Sequence, residues 1–298
     1  MTTEAHPGAL DAAALAHLQD WQGRSEQLRD IATPAPVAAL SATLDREDPA
    51  PGEGTGLPPL WHWLYFLPHA RQSQIGIDGH PKRGGFLPPV PLPRRMWAGG
   101  RLRWELANPL QVGQRIDRTS TIRSITHKSG RSGELLFVLV EHRIANEAGL
   151  ALTEEHDIVY RSASRPGDPA PQPQRPALEG QGAWSRTITP DSVLLFRYSA
   201  LTFNGHRIHY DRKYVLEEEG YPGLVVHGPL IATLLMDLLR RERPAAPVAS
   251  FEFKAIRPIF DLNSFSVHGR PSADGKRVDL WAQDHEGWLT MQAAATLG

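Results

Sequence analysis

The sequence predicts an α+β fold in which two similar halves each wrap an antiparallel sheet around one apolar helix. Each half contains an apolar segment of helical character followed by about four segments of strand character. Short turns rich in Gly and Asn separate the strand segments. A proline-rich stretch a little past the middle divides the 298-residue chain. A sheet that covers a buried helix would satisfy this order of elements.

The first half begins with helical segments. Residues 11–31 predict a helix that Asp11 can cap, and residues 37–44 predict a second, shorter one. The aromatic run at 60–67 follows two prolines, which favour a first helical turn, so it predicts the buried helix of this half. Residues 69–100 are rich in Pro and Gly and predict an irregular region. Strands are then expected at 101–106, 115–127, 135–144 and 150–161.

The second half repeats this order after a linker. Residues 166–183 contain so much proline that neither helix nor sheet is expected, so they predict a spacer between unit 1–165 and unit 184–298. A short strand (184–189) and an irregular polar segment (198–221) lead into an apolar helix that runs from His227 to about Arg241. Four more strands are expected at 249–260, 264–270, 277–283 and 288–296.

Composition excludes several classes of protein. The 32 Lys and Arg residues and 33 Asp and Glu residues give a net charge of −1, which provides no overall field for nucleic acid. The absence of cysteine excludes disulfides, a thiol nucleophile and thiolate metal sites. No secretory signal begins the sequence, and no apolar run approaches the roughly 20 residues that span a bilayer. We therefore expect a cytoplasmic protein that binds neither nucleic acid nor membrane.

The segment from 196 to 230 carries the candidate chemistry. It gathers Tyr198, Asn204, His206 and His209 within a few turns and leads directly into the apolar helix. The free backbone N–H groups at such a helix start can bind a developing oxyanion. The segment therefore predicts a site in which titratable side chains face an oxyanion-binding helix terminus.

Two motifs make the chain resemble a known family. Residues 204–209 read NGHRIH, and residues 226–230 read VHGPL at the start of the apolar helix. Together they resemble the D/N-x-x-x-x-H loop and helix start of the MaoC-like hydratases and dehydratases of the hot-dog superfamily. The stretch PLPRRMWAGG (91–100) is similar to the double hot-dog members of that group. The resemblance runs from about residue 61 onward.

The resemblance implies two fused hot-dog halves and a lyase that reversibly adds water to the C2–C3 double bond of an enoyl thioester. It implies Asn204 and His209 as catalytic residues and the N–H of Gly228 as the oxyanion donor. A histidine has an ordinary pKa near 6.5 and suits a general base. An amide orients water but cannot carry a proton, so we hypothesise that His209 moves the proton while Asn204 holds the water.

The resemblance also suggests a substrate and its contacts. The double hot-dog members that the chain resembles include mitochondrial-type 3-hydroxyacyl thioester dehydratases and hydratases of mesaconyl-C4-CoA and itaconyl-CoA. The best substrate prediction from this resemblance is a C5-dicarboxylyl-CoA, mesaconyl-C4-CoA or itaconyl-CoA, hydrated to citramalyl-CoA. Arginine binds carboxylates in a two-pronged geometry, so Arg94 and Arg95 beside Trp97 are candidate substrate contacts, with Tyr198. Arg207 either binds the substrate or pairs with Asp211.

No cofactor or metal is expected. The sequence contains no Gly-rich nucleotide fingerprint that follows a strand and opens a helix. His206 and His209 form an H-x-x-H pair, but zinc needs at least a third protein ligand, and no partner stands at ligand spacing in the sequence.

Alternatives remain at this point. One is a 3-hydroxyacyl-CoA or 3-hydroxyacyl-ACP dehydratase of fatty acid metabolism. Another is a non-catalytic acyl-thioester binding protein, which is favoured only by Asn204 at the position where many members of the family have aspartate. A thioesterase needs an acidic group in the loop, and Glu217–Glu219 stand too far along the chain. A fused pair permits a monomer, although sheet edges and the habit of the family favour a homodimer.

Overall fold

Ten strands form one continuous antiparallel sheet in the computed structural model, which describes residues 10–130, 133–162, 172–177 and 183–298. The strands are β1 (Ser25–Ile31), β2 (Arg94–Trp104), β3 (Arg115–Gly130), β4 (Gly133–Asn146), β5 (Gly149–Arg161), β6 (Trp184–Ile188), β7 (Val248–Ala255), β8 (Phe265–Pro271), β9 (Arg277–Gln283) and β10 (Leu289–Leu297).

The strand order reveals the two halves. It runs β1-β3-β4-β5-β2-β7-β10-β9-β8-β6, so each half places its five strands in the same relative order. Strands β2 and β7 pair at the centre of the sheet and join the halves, from Gly99 opposite Lys254 to Arg103 opposite Ser250. The two halves therefore share one strand topology.

One long helix lies at the core. The helices are α1 (Ala12–Gln19), α2 (Pro34–Thr43), α3 (Ser192–Leu201), α4 (Arg212–Glu217) and α5 (Gly228–Glu242). Helix α5 buries every residue from Leu230 to Leu239, which include five leucines, as its apolar sequence predicts. Its one buried carboxylate, Asp237, accepts hydrogen bonds from Arg46, Arg186 and Arg241, so the charge is paired.

The expectation of a central helix in the first half is wrong. Trp61–Leu64 forms a single 3-10 turn. Leu60 before it and Phe66 after it have positive φ angles, +72° and +56°, which an α-helix does not accommodate. The first half therefore surrounds irregular chain and a cavity where the second half surrounds α5.

Three other boundaries differ from the prediction. The helix expected at 11–31 ends at Gln19, because Gly23 turns the chain with a φ of +83° and residues 25–31 pair with β3 as an edge strand. Residues 94–100 belong to strand β2 and are not irregular. Helix α3 includes the first four residues of the segment expected to be irregular, 198–221, and helix α4 lies within that segment; neither helix was expected.

Most of the predicted linker, 166–183, lies outside the described residues. Its residues 172–177 are described and contact the second half. Gln174 O accepts a hydrogen bond from Leu289 N at 2.8 Å, and Arg175 lies over the ring of Trp288. Within the described ranges, no helix is long and apolar enough to cross a membrane.

Candidate active site

Asn204 is held by its own loop. Helix α3 ends at Leu201, and Phe203 turns the chain with a φ of +48°. The backbone N of Asn204 then donates to Ser199 O at 2.8 Å, and its Oδ1 accepts from His206 N at 3.0 Å. The side chain lines a cavity of about 700 Å³, and its Nδ2 remains available to donate to a water molecule.

His209 has one ring nitrogen committed and one available. Its Nδ1 lies 2.7 Å from Val225 O, and since a carbonyl only accepts, Nδ1 carries the proton. The lone pair of Nε2 is then the basic site. Burial disfavours the charged imidazolium and lowers the pKa of His209 to about 4, so the ring is neutral at pH 7 and can accept a proton.

His227 positions His209. The two imidazoles stack with centroids 3.6 Å apart and planes inclined by 17°. His227 is fully buried, and its Nε2 shares a hydrogen bond of 2.8 Å with Ser199 Oγ. The sequence suggested only a residue at a helix start, whereas in the structure the ring of His227 packs face to face against the ring of His209.

The N–H of Gly228, in the first turn of α5, has no partner within the helix. Gly228 opens the helix, His227 makes no side-chain cap bond, and Pro229 has no N–H. A Cβ added to Gly228 would meet no atom within 4 Å, so open space lies beside it. A thioester oxygen can approach this N–H as it would an oxyanion hole.

A segment of the first half crosses the catalytic loop. Arg207 N donates to Asp78 O at 2.9 Å, and Arg207 Nη1 donates to Ile77 O at 3.0 Å. Gly79 lies so close to Gly205 that a Cβ on Gly79 would stand 1.8 Å from Gly205 O. The two halves thus meet at the site, in a contact that no local spacing in the sequence indicates.

This crossing also assembles an acid–histidine group. His80 Nδ1 donates to Asp78 Oδ2 at 3.0 Å, and the rings of His80 and His206 lie 4.0 Å apart. The ligand atoms of Asp78, His80 and His206 all lie within 4.8 Å of one another, so the group could hold a metal ion. The sequence missed this grouping because its members come from distant segments.

The predicted contact residues divide into two sets. Tyr198 and Trp97 line the cavity. The three arginines are absent from its wall: Arg94 lies over Tyr221, Arg95 bonds the hydroxyl of Tyr160, and Arg207 forms an ion pair with Asp211, Nη2 to Oδ2, at 2.7 Å.

The far wall of the cavity is polar and was not predicted. It carries an arginine, a glutamate and three histidines from the first half, namely Arg118, Glu154, His62, His142 and His156. Among the described residues, Arg118 is the only arginine in the cavity wall.

The histidines in and around the site predict that the protein is sensitive to acid. Burial lowers the pKa of five of them, so they stay neutral in the folded protein, namely His142, His156, His206, His209 and His227. An unfolded histidine takes up a proton near pH 6.5. Stability is therefore full above that pH and declines as the pH falls toward the folded values. We expect urea unfolding to show a loss of about 3–6 kcal/mol between pH 7.5 and 5.5.

The number of protons taken up on unfolding checks the cause. Titration calorimetry at pH 5.5 should detect several protons bound per chain on unfolding, and His206→Asn should remove about one of them. A free energy of unfolding that stays level over this pH range would contradict the neutral state of these rings.

Comparison with known proteins shows the family to which the chain is similar. A model of the family described as hydroxyacyl-thioester dehydratase type 2 matches residues 60–261. The chain is 51% identical over 279 residues to mesaconyl-C(4)-CoA hydratase of Chloroflexus aurantiacus, covering 93% of this chain and 97% of that protein. It is 28% identical to the mitochondrial hydroxyacyl-thioester dehydratase type 2 of Schizosaccharomyces pombe, covering 78% and 86%.

A solved structure agrees in fold. A Mycobacterium tuberculosis protein with a double hotdog fold matches with a TM-score of 0.55 at 14% identity, covering 93% of this chain and 96% of that one. At this identity the likeness concerns the fold alone, and it confirms the double hot-dog prediction.

Proposed function

Because the chain belongs to the hydroxyacyl-thioester dehydratase type 2 family, it is a hydro-lyase, and we propose that it hydrates an enoyl-CoA that carries a second carboxylate. Mesaconyl-C4-CoA is the preferred substrate, with itaconyl-CoA next, and citramalyl-CoA is the product. The observation that carries this proposal is the 51% identity, over nearly the full length of both chains, to the hydratase of C. aurantiacus.

The geometry suggests a role for each catalytic group. The thioester oxygen accepts a hydrogen bond from the N–H of Gly228, and Asn204 holds a water molecule. Nε2 of His209 removes a proton from this water as its oxygen forms a bond to C3. The electron pair of the double bond moves toward the thioester oxygen, and the imidazolium then returns its proton to C2. Since one His accepts and returns the proton, a carboxylate at position 204 is not required.

A second candidate is a 3-hydroxyacyl thioester dehydratase of fatty acid metabolism, on a CoA or ACP carrier. The observations in its favour are the description of the family and the relative in S. pombe. The catalytic steps would be the same in the reverse direction. The difference lies in the acyl end, which would have to be apolar.

We also propose a cytoplasmic enzyme that works with its two halves alone or as a homodimer. Strands β2 and β7 already join the halves within one chain, so the cavity is built without a second copy. Strands β1 and β6 end the sheet and are the edges through which a second copy could add.

The substrate proposal is tested by following the loss of enoyl-thioester absorbance with mesaconyl-C4-CoA and crotonyl-CoA. Itaconyl-CoA, whose double bond is not conjugated with the thioester, is assayed by the mass of its product. We expect kcat/KM for a dicarboxylyl-CoA to exceed that for crotonyl-CoA, with a product heavier by one water. Turnover of crotonyl-CoA alone would move the enzyme to fatty acyl substrates. Release of free CoA would replace the hydratase assignment by a thioesterase.

A further inference from the structure

We propose that the free carboxylate of the substrate is bound by a partly buried polar belt on the inner face of the first-half sheet. The belt consists of Arg118, Ser120, His142, Glu154 and His156. Arg118 is the principal ligand, and the two histidines assist it. This inference rests on the proposed function and names the groups that select a dicarboxylyl thioester.

The sheet register places the belt across three neighbouring strands. Ser120 of β3 lies opposite His142 of β4, which lies opposite Glu154 of β5. Arg118 and His156 stand two residues from Ser120 and Glu154, so they share the same face of the sheet. Their neighbours on that face are buried and apolar, for example Ile116, Ile122, Val140, Ile144 and Ile158. The belt therefore interrupts a surface that would otherwise belong to the core.

Glu154 anchors the belt. Its side chain is 4% exposed, Oε2 accepts from His62 Nε2 at 2.9 Å, and Oε1 accepts from Trp63 Nε1 at 3.0 Å. Burial alone would raise the pKa of Glu154, but the hydrogen bond from His62 and the nearby imidazoles lower it to about 2. Both oxygens of this carboxylate are thus engaged, and Glu154 orients His62 and Trp63.

Arg118 is left with unused donors. Its Nε is buried and has no hydrogen-bond partner, and its guanidinium lies 5.1 Å from the ring centroid of Phe66. A buried donor without a partner costs free energy comparable to a lost hydrogen bond. A carboxylate satisfies such a guanidinium through two parallel N–H bonds. Glu26 and Glu154 interact with the charge of Arg118, but its Nε forms no hydrogen bond, so the cavity wall presents a guanidinium donor that a ligand carboxylate would satisfy.

His142 and His156 can add donors. Burial lowers the pKa of His142 to about 4 and that of His156 to about 3, so both are neutral in the free protein. His142 Nδ1 shares a hydrogen bond with Ser120 Oγ at 2.9 Å, and His156 stacks on Trp97 with centroids 3.9 Å apart. A neutral imidazole still offers one N–H, and an anion beside it favours uptake of a second proton.

The chemistry of the substrate fits this position. In a mesaconyl-C4 thioester the free carboxylate is attached to C3, on the side away from the thioester. Asn204 and Arg118 line the same cavity, so with C3 beside Asn204 a carboxylate on C3 would enter the space that Arg118 borders. An apolar acyl end placed there would leave the belt donors unsatisfied, which is unfavourable. The belt therefore favours a carboxylate over a methyl group.

The test compares two arginine variants and two ligands. Arg118→Met removes the positive charge and keeps an unbranched apolar side chain. Arg240→Met is the matched control, because Arg240 also lies 5.1 Å from a ring centroid, that of Trp61, and also has one buried nitrogen without a partner. The ligands are mesaconyl-C4-CoA and 3-methylcrotonyl-CoA, which has a methyl group in place of the carboxylate.

We expect Arg118→Met to raise KM for mesaconyl-C4-CoA by about 30-fold or more, the loss of a charge-assisted hydrogen-bond pair. The Kd of 3-methylcrotonyl-CoA should change by less than about threefold, and Arg240→Met should leave both values near those of the wild type. Equal weakening of both ligands by Arg118→Met, or no change in either, would overturn the inference.

Two further experiments distinguish failure of the inference from misfolding of the variant and from failure of the proposed function. If Arg118→Met does not fold, His156→Phe retains the stacking on Trp97 and is judged by the same two ligands. If the wild type does not hydrate mesaconyl-C4-CoA, the proposed substrate is wrong, and equilibrium binding decides the rest. A wild-type Kd for mesaconyl-C4-CoA at least about tenfold below that for 3-methylcrotonyl-CoA, lost in Arg118→Met, supports the belt. Equal Kd values overturn it.

Discussion

Replacing His209 by glutamine should lower kcat by about 10²- to 10⁴-fold, the usual contribution of a general acid–base group. The amide can still fill the space beside His227 and donate to Val225 O, as His209 Nδ1 does. It cannot accept and return a proton. KM should therefore stay within about threefold of the wild-type value, since binding is retained and only the chemical step is lost. Steady-state hydration of the preferred enoyl-CoA measures both constants.

The pH profile of the wild type tests the protonation state of His209 independently. Burial lowers the pKa of His209 to about 4, and the neutral ring is the active form. Between pH 7.5 and 6, kcat/KM should therefore remain level, whereas a base with an ordinary pKa near 6.5 would already be mostly protonated at pH 6. A rate that halves near pH 6.5 would show that His209 is not buried as described in the working enzyme.

His268→Gln is the matched control for the histidine substitution. His268 lies on β8, shares a hydrogen bond with Ser266 Oγ at 2.8 Å and stacks on Trp281, so it is a packed histidine on an element outside the 204–209 loop. Its replacement should leave kcat unchanged. The companion variant Asn204→Asp examines the proton route: an increase in kcat with a new acidic pKa would mean that His209 does not return the proton alone.

Local sequence signals predicted where the candidate loop lies relative to the apolar helix. Asn204 and His209 come from one short segment, and the helix start that follows is marked by Gly228 and Pro229. The structure brings this loop to the N-terminus of α5, as expected. Such features depend on residues close together in the chain, where spacing alone carries the geometry.

Sequence patterns were less informative about the first half. The aromatic run at 60–67 has helical composition, but Leu60 and Phe66 adopt left-handed backbone conformations that composition does not reveal. The polar belt did leave a signal. In β4, Leu136, Val138 and Val140 alternate toward the core, and His142 then takes an inward position before Ile144. A polar residue in a period-two apolar pattern indicates a buried polar site.

Contacts between the halves could not be predicted from spacing. Asp78 and Gly79 lie in a Pro- and Gly-rich region that predicts only irregular chain, yet they touch the catalytic loop at Gly205 and Arg207. This contact fixes the loop from a distant part of the chain, so the position of Asn204 depends on a glycine that carries no functional group.

Gly79→Ala should therefore disturb catalysis as well as stability. Gly79 has a φ of +88°, which an L-residue adopts at a cost of roughly 1–2 kcal/mol. The new Cβ would also stand 1.8 Å from Gly205 O, so the two segments must separate. A displacement of about 1 Å at a site can cost about 10²-fold in rate. We expect kcat/KM to fall by about that factor and urea unfolding to show a loss of about 2–4 kcal/mol.

Gly54→Ala separates backbone strain from the crossing contact. Gly54 has a similar φ of +81°, but a Cβ there would meet no atom within 4 Å. Its replacement should cost only the backbone strain, roughly 1–2 kcal/mol, and leave kcat/KM unchanged. If the two variants lost stability and activity equally, the close approach of Gly79 to Gly205 would be dispensable. The loop that carries Asn204 and His209 would then be positioned by the second half alone, through its bonds to Ser199 and Val225.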